Sequence, residues 1–125
     1  MVHGGKRAAG FPSPADDYLQ GSIDLNELLI AHPAATFLVR ASGQSMVNAG
    51  IYENDILVVD RSIPPTQGKI VIAAMNGQLT VKRLHQSSEN ELMLMPENPA
   101  FKPIVVKEGS EVYIWGVVTC VLHAL

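Results

Sequence analysis

The chain has 125 residues, a formal net charge of −3 and apolar side chains at 47% of its positions. This length fits one domain with a real hydrophobic core, and the acidic balance argues against direct binding of nucleic acid, which needs a basic surface. No apolar run is long enough to span a membrane, no signal-peptide core is present, and the single Cys120 fits a reducing cytoplasm.

The N-terminal segment, residues 1–21, is predicted to form a flexible arm. It is rich in Gly, Ala, Pro and Ser, so it has little apolar surface to bury. Residues 22–125 are predicted to fold as one body that opens with a short helix. Asp24 is followed three positions later by Glu27, the spacing of a capping box, and by an apolar stripe of leucines. This helix is expected to end before Pro33.

Six strands are predicted after the helix, from apolar and β-branched runs separated by turn signals. Their expected bounds are 36–40, 56–60, 69–75, 78–84, 91–94 and 111–122. Asn76-Gly77 is a two-residue hairpin signal between the third strand and the fourth. The pattern predicts a mainly β, compact, barrel-like body with one short helix. The last run is apolar on both faces, so we expect part of it to lie in a homodimer interface.

Two short segments carry the candidate chemistry. Ser45 lies in a glycine-containing turn directly after the first predicted strand, and Lys82 lies 37 positions later in the fourth. A lysine flanked by apolar residues on a strand loses water, which lowers its pKa and makes it a base. A neutral lysine beside a serine hydroxyl provides the base and nucleophile of a Ser-Lys peptidase. The alternatives are a turn serine that bonds only to backbone and a strand lysine that reaches solvent.

Three neighbouring residues are candidates for supporting roles. Gly43 would let the backbone turn so that the amides of Gln44 and Ser45 point at a developing oxyanion. Thr80 lies two residues before Lys82 on the same face of the strand. It is a candidate to hold the lysine amine by a hydrogen bond, and an ordinary strand threonine is the alternative.

The other reactive side chains form no recognisable site. The four histidines at positions 3, 32, 85 and 123 lack the paired spacing of metal ligands. No phosphate-binding glycine loop is present. The sequence therefore predicts no metal and no cofactor. The acidic residues at 53–55 fall in a turn, and we expect them to be solvated.

Four segments of the chain occur in a characteristic order and spacing. They are Ser-Gly-Gln-Ser-Met at 42–46 and the runs at 50–60, 68–73 and 80–84. Together they resemble the self-cleaving domain shared by LexA-type repressors, phage repressors and UmuD-type mutagenesis proteins. The runs at 10–18, 23–30 and 115–122 narrow the resemblance to the UmuD branch.

The resemblance implies a serine endopeptidase that cuts itself, with Ser45 as nucleophile and Lys82 as base. It also implies that the cut falls at a small-residue–Gly bond in the N-terminal arm. Ala9-Gly10 lies directly before the segment where the resemblance begins, and an ordinary linker is the alternative reading of this dipeptide. Only nine residues precede Gly10, whereas UmuD-type proteins carry a longer arm.

Partners are also implied by the resemblance. A RecA nucleoprotein filament would stimulate cleavage, and the trimmed homodimer would serve an error-prone Y-family DNA polymerase catalytic subunit in the SOS response. Neither a membrane nor direct nucleic-acid binding is expected. Two alternatives stay open: an already trimmed regulatory subunit that needs no catalysis, and the cleavage domain of a LexA-type or phage repressor. A repressor needs a helix-turn-helix segment before the cut, for which nine residues are too few.

Overall fold

The computed structural model describes residues 22–125, in which one short helix precedes a seven-stranded antiparallel sheet. The helix α1 spans Leu25–Leu29. The strands are β1 Thr36–Arg40, β2 Ile56–Asp60, β3 Ile70–Met75, β4 Gln78–Gln86, β5 Leu92–Met95, β6 Ile104–Val105 and β7 Val112–Leu122. Their order in the sheet is β1-β2-β7-β3-β4-β5-β6. The predicted mainly β fold with one short helix is confirmed.

The helix α1 begins at the residue that the sequence predicts. Asp24 is the N-cap, and its carboxylate accepts a hydrogen bond from the Asn26 N–H at 2.9 Å. This bond satisfies one of the donors that a helix leaves unpaired at its N-terminus, although a capping box would have used the N–H of Glu27. Leu25 and Leu28 are 55% and 65% exposed, so α1 lies on the surface of the sheet domain.

The strand β7 joins the two halves of the sheet. It pairs with β2 on one side and with β3 on the other, and its register shifts once against each neighbour. Each shift leaves one extra residue on β7, Thr119 against β2 and Trp115 against β3. Such β-bulges bend a strand and increase its twist. Gly116 fits this bend because a Cβ atom there would approach Val59 Cγ1 at 2.6 Å.

Apolar side chains pack against both faces of the sheet. Ile72 belongs to one buried cluster, whereas its neighbours Val71 and Ala73 belong to another, and successive strand residues point to opposite faces. Val117 of β7 is a buried member of the second cluster, and Val121 packs against the first. The two-sided apolar pattern of β7 is therefore explained by packing within one chain and requires no second copy.

Two buried carboxylates flank β2. Asp55 precedes the strand and is 2% exposed, and Asp60 ends it and is 3% exposed. His123 Nδ1 lies 2.5 Å from Asp55 Oδ1, and His32 Nδ1 lies 2.6 Å from Asp60 Oδ2. The prediction that the acidic residues at 53–55 are solvated is wrong for Asp55. Its carboxylate is buried, because the segment after β7 places His123 next to it.

The predicted arm, residues 1–21, lies outside the described residues, and so does the predicted cleavage site Ala9-Gly10. A domain boundary at residue 21 therefore stays a prediction. Within residues 22–125, no helix has the length and apolar character that crossing a membrane requires.

Candidate active site

Ser45 lies in the loop that connects β1 to β2. The base of this loop is closed by two backbone hydrogen bonds of 2.8 Å, from the Ala41 N–H to the Asp55 carbonyl and from the Asn54 N–H to the Ala41 carbonyl. Gly43 has φ +82°, in the left-handed region that favours glycine. This conformation turns the chain so that Ser45 comes back over the sheet.

Lys82 is placed by the hairpin of β3 and β4. The predicted two-residue turn is present, with Met75 paired to Gln78 across Asn76-Gly77, and both turn residues have positive φ. This backbone twist matches that of the flanking strands. The tight turn fixes the register of β4, in which Lys82 is opposite Val71 in the centre of the sheet.

The Lys82 amine and the Ser45 hydroxyl are within hydrogen-bond distance. Nζ of Lys82 lies 3.0 Å from Oγ of Ser45, 2.8 Å from Oγ1 of Thr80 and 3.0 Å from the carbonyl oxygen of Val81. Lys82 is only 7% exposed. The structure thus brings together three residues that the sequence analysis selected, although they are up to 37 positions apart.

The electrostatic surroundings of Lys82 favour its neutral form. Burial lowers the pKa of the Lys82 amine, because a charged ammonium group loses its hydration in the interior. Among residues 22–125, no carboxylate forms a salt bridge with this amine. The described chain therefore offers the charged amine neutral oxygen acceptors and no counter-charge.

A cavity of about 320 Å³ opens beside Ser45. Its walls come from the end of β1, the Ser45 loop, β3 and the first half of β4, and most of the lining side chains are small or apolar. They include Val39, Ala41, Met46, Ile51, Ile72, Leu79 and Val81. A cavity of this size and lining accepts a small side chain together with the backbone on either side of it.

The backbone amides beside the nucleophile are available as donors. In the described part of the chain, the N–H groups of Gln44 and Ser45 donate to no other group, whereas the Gly43 N–H approaches Glu53 Oε1 at 3.3 Å. Unpaired N–H groups next to a nucleophile are the donors that form an oxyanion hole. The roles of Gly43 and Gln44 at an oxyanion hole stay a prediction.

A second segment that contacts the Ser45 loop was missed by the sequence analysis. Residues 97 and 98, which follow β5, bond to both peptide groups that flank Ser45. Only the turn-forming Pro-Glu-Asn-Pro run at 96–99 marks this segment in the sequence. That composition signals a turn and not a contact with a residue some fifty positions away.

The remaining candidate ligands do not assemble. Within residues 22–125, no group of three or more His, Cys, Asp or Glu side chains is arranged to hold a metal ion. His32 and His123 pair instead with the buried carboxylates at the ends of β2. Cys120 is a free, half-buried thiol on β7.

Comparison with known proteins identifies the family of the chain. Residues 1–119 match the peptidase S24-like family. The chain is 49% identical to protein SamA of Salmonella typhimurium over 115 residues, which is 92% of the chain and 79% of SamA. It is 47% identical to protein ImpA of Escherichia coli, covering 92% of the chain and 77% of ImpA. Identity to the LexA repressor of Erwinia tasmaniensis is 41% over 102 residues, 82% of the chain and 50% of the repressor. The chain therefore belongs to the peptidase S24-like family of self-cleaving peptidases, as a UmuD-type member of the LexA/UmuD group.

Proposed function

We propose that this chain cuts itself at Ala9-Gly10, with Ser45 as the nucleophile and Lys82 as the general base. The observation that carries the proposal is the 3.0 Å distance between the buried Lys82 amine and the Ser45 hydroxyl. A base within hydrogen-bond reach of a nucleophile is the geometric requirement for this chemistry.

The three oxygens around the amine fit either charge state, and burial, which lowers the pKa of Lys82, favours the neutral one. A neutral amine has two N–H groups and one lone pair, whereas an ammonium group has three N–H donors and no acceptor. Thr80 Oγ1 and the Val81 carbonyl accept the two N–H groups. The lone pair is then left for the hydroxyl hydrogen of Ser45. Thr80 thereby acts as a positioning residue that aims the lone pair at the nucleophile.

The reaction follows from this arrangement. Lys82 takes the hydroxyl proton as Ser45 Oγ forms a bond to the carbonyl carbon of Ala9, and the carbonyl oxygen becomes an oxyanion that the Gln44 and Ser45 amides stabilise. Lys82 then gives the proton to the Gly10 nitrogen as the peptide bond breaks. Water, deprotonated in the same way, hydrolyses the resulting ester and regenerates the Ser45 hydroxyl.

The cavity beside Ser45 supports a substrate with small side chains. Its mostly small or apolar lining leaves room for the methyl group of Ala9. Glycine after the cut lets the substrate backbone approach the nucleophile closely. Ala9-Gly10 has both properties.

Intact mass measured against time tests the proposal. The purified chain should lose the mass of residues 1–9, and Ser45→Ala should remain intact at every pH. Ser88→Ala is the matched control, because Ser88 is exposed in the turn between β4 and β5. A protease inhibitor mixture added to the sample excludes cleavage by a contaminating protease. A Ser45→Ala chain that still loses residues 1–9 in the presence of this mixture would contradict the assignment.

The UmuD-type membership supports a wider proposal for the trimmed chain. We propose that a RecA nucleoprotein filament accelerates the cut, and that the trimmed homodimer then serves an error-prone Y-family DNA polymerase in the cytoplasm. Adding RecA, single-stranded DNA and a nucleotide should raise the rate of mass loss. An unchanged rate would remove RecA from the proposal and leave the Ser-Lys assignment standing.

The homodimer proposal has its own structural support. Ile23, Leu25 and Leu28 are exposed apolar side chains in and beside α1, and neighbouring exposed apolar side chains favour a contact surface. Sedimentation at micromolar concentration should give a dimer, and Leu28→Glu should weaken it. A monomer at that concentration would contradict the proposal.

A further inference from the structure

The segment after β5 is bonded to the loop of the nucleophile and does not line the cavity. The Glu97 N–H donates to the Ser45 carbonyl at 2.8 Å, and the Asn48 N–H donates to the Glu97 carbonyl at 2.9 Å. The side chain of Asn98 reaches the preceding peptide, where its Nδ2 donates to the Gln44 carbonyl at 2.8 Å. Both peptide groups that flank Ser45 are therefore bonded to residues 97 and 98.

The segment is itself fixed to the strand that carries Lys82. Arg83 Nε lies 2.6 Å from Glu97 Oε1, and Arg83 Nη1 donates to the Gly68 carbonyl at 2.6 Å. Lys82 and Arg83 are neighbours on β4 and point to opposite faces. One strand thus positions the amine directly and, through Arg83 and Glu97, the loop that carries Ser45.

The Asn98 side chain can have only one orientation in this network. Its Oδ1 accepts a hydrogen bond from the Ala100 N–H at 2.9 Å, so its Nδ2 is the atom that faces Gln44. The Val47 N–H approaches the same Gln44 carbonyl at 3.4 Å, a longer and weaker contact. Asn98 is therefore the main donor to this carbonyl within the described residues.

The direction of the Ser45 N–H follows from peptide geometry. The described chain has no cis peptide bond, and in a trans peptide the C=O and N–H groups point in opposite directions. Because the Gln44 carbonyl faces Asn98, the Ser45 N–H points away from Asn98. Ser45 lines the cavity of the candidate active site, and Asn98 does not.

We propose that Asn98 is a positioning residue for the self-cleavage reaction. Its side-chain amide holds the Gln44–Ser45 peptide so that the Ser45 N–H is aimed at the oxyanion. The inference rests on the proposed function of Ser45, but it assigns a role to a residue outside the nucleophile loop and the base. Asn98 touches no reacting atom and acts only through the peptide that it holds.

Two substitutions test this role. Asn98→Asp keeps the shape and the acceptor for the Ala100 N–H but presents an oxygen to the Gln44 carbonyl, and Asn98→Ala removes the side chain without adding charge. Loss of one oxyanion donor slows other serine peptidases about 100-fold or more. We expect self-cleavage to slow roughly tenfold to 100-fold in both variants. Ser88→Ala, an exposed change in the turn between β4 and β5, is the control and should cleave at the unaltered rate.

The pH profile separates positioning from a general loss of structure. In Asn98→Ala, the rate should fall by the same factor at each pH, and the midpoint of its rise with pH should stay in place because Lys82 is untouched. The thermal unfolding midpoint should stay well above the assay temperature. Cleavage within twofold of the unaltered chain in both variants, or a shifted midpoint in Asn98→Ala, would overturn the proposal.

A second measurement does not depend on cleavage. The ¹⁵N order parameter of the Ser45 amide, measured by NMR in the Ser45-containing Lys82→Ala chain, should fall when Asn98→Ala is added, while the values in β2 stay the same. An unchanged order parameter at Ser45 would overturn the positioning role. If the unaltered chain never cuts itself, the proposed function fails, and this NMR experiment still decides whether Asn98 holds the peptide.

Discussion

Lys82 and Asp60 are both buried and ionisable, but they lie in different surroundings. Asp60 accepts hydrogen bonds from the Ser62 N–H at 2.8 Å and from the Ser62 hydroxyl at 2.6 Å, and His32 lies 2.6 Å away on its other oxygen. Lys82 faces only neutral oxygens, those of Ser45, Thr80 and Val81. A buried charge with full pairing is held in its charged form, whereas a buried amine among neutral groups is free to lose its proton.

The pKa shifts of the two groups have the same direction and opposite consequences. The hydrogen bond from the Ser62 hydroxyl and the contact with His32 lower the pKa of Asp60 to about 2, so its carboxylate stays charged. The backbone N–H of Tyr52 lowers the pKa of Asp55 in the same way. For Lys82, burial lowers the pKa and favours the neutral amine. The aspartates therefore stabilise the ends of β2, and the lysine provides a base.

The largest expected effect is on self-cleavage. Lys82→Ala and Lys82→Arg should each slow it by about 10³-fold or more, because alanine has no base and a guanidinium keeps its proton. Intact mass against time measures the effect, with Lys69→Ala, an exposed lysine before β3, as the control. A Lys82→Arg chain that cuts itself at the unaltered rate would remove Lys82 from the role of base.

The next largest effect is a loss of thermal stability when the Asp60 carboxylate is removed. Asp60→Ala leaves the Ser62 N–H, the Ser62 hydroxyl and His32 without their shared partner. We expect thermal unfolding to begin at a lower temperature, with a fall in Tm on the order of 5 °C. Differential scanning calorimetry at neutral pH measures it. An unchanged Tm would mean that the paired carboxylate does not stabilise β2.

Removing the ionisable group at Lys82 should raise the stability of the fold, whereas removing the one at Asp60 should lower it. Lys82→Met keeps the length of the side chain and removes the cost of burying a charge, so we expect a gain in the free energy of unfolding on the order of 1 kcal/mol. Because the folded pKa is lowered, that cost is full below the folded pKa and disappears as the pH rises toward the usual lysine value of 10.5. Denaturant titrations at neutral and alkaline pH should therefore show a gain that shrinks with pH. A less stable Lys82→Met chain at neutral pH would contradict the comparison.

The smallest expected effect is on the loss of stability at acidic pH. The folded pKa of Asp60 lies below its usual value of 3.8, so its contribution to stability is complete above that value and is lost as the pH falls toward 2. Asp60→Asn should therefore flatten part of the fall in denaturation midpoint between about pH 5 and about pH 2. If both chains lose stability in parallel over this range, Asp60 is not a source of the acid sensitivity.

Local patterns were enough to predict most of the strands. The predicted bounds of the first two agree with β1 Thr36–Arg40 and β2 Ile56–Asp60, because compact apolar runs between turns have few alternatives. The two-residue strand β6 was not predicted, since Ile104–Val105 gains its conformation only by pairing with β5. The strand β4 extends to Gln86 for a similar reason, because β5 pairs along its end.

The site was predictable only in part. Ser45 and Lys82 were selected from the turn and strand patterns around them and from a resemblance, and their separation along the chain gave no distance between them. The pairing of His123 with Asp55 joins residues 68 positions apart, and the bond from Asn98 to Gln44 joins residues 54 positions apart. No periodicity or characteristic spacing in the sequence marks either pair. The order of the strands in the sheet brings these residues together, and the residues next to them in the sequence do not.

The protonation of Lys82 is the most direct test of the account. NMR of the chain with labelled lysine, in the Ser45→Ala background that prevents cleavage, follows the Cε and Nζ signals of Lys82 as the pH is raised. The account predicts that Lys82 titrates below the usual lysine value of 10.5, and that Thr80→Val moves its midpoint because one hydrogen-bond acceptor is lost. Titration of Lys82 at or above 10.5 would contradict the claim that burial beside Ser45 makes this lysine a base.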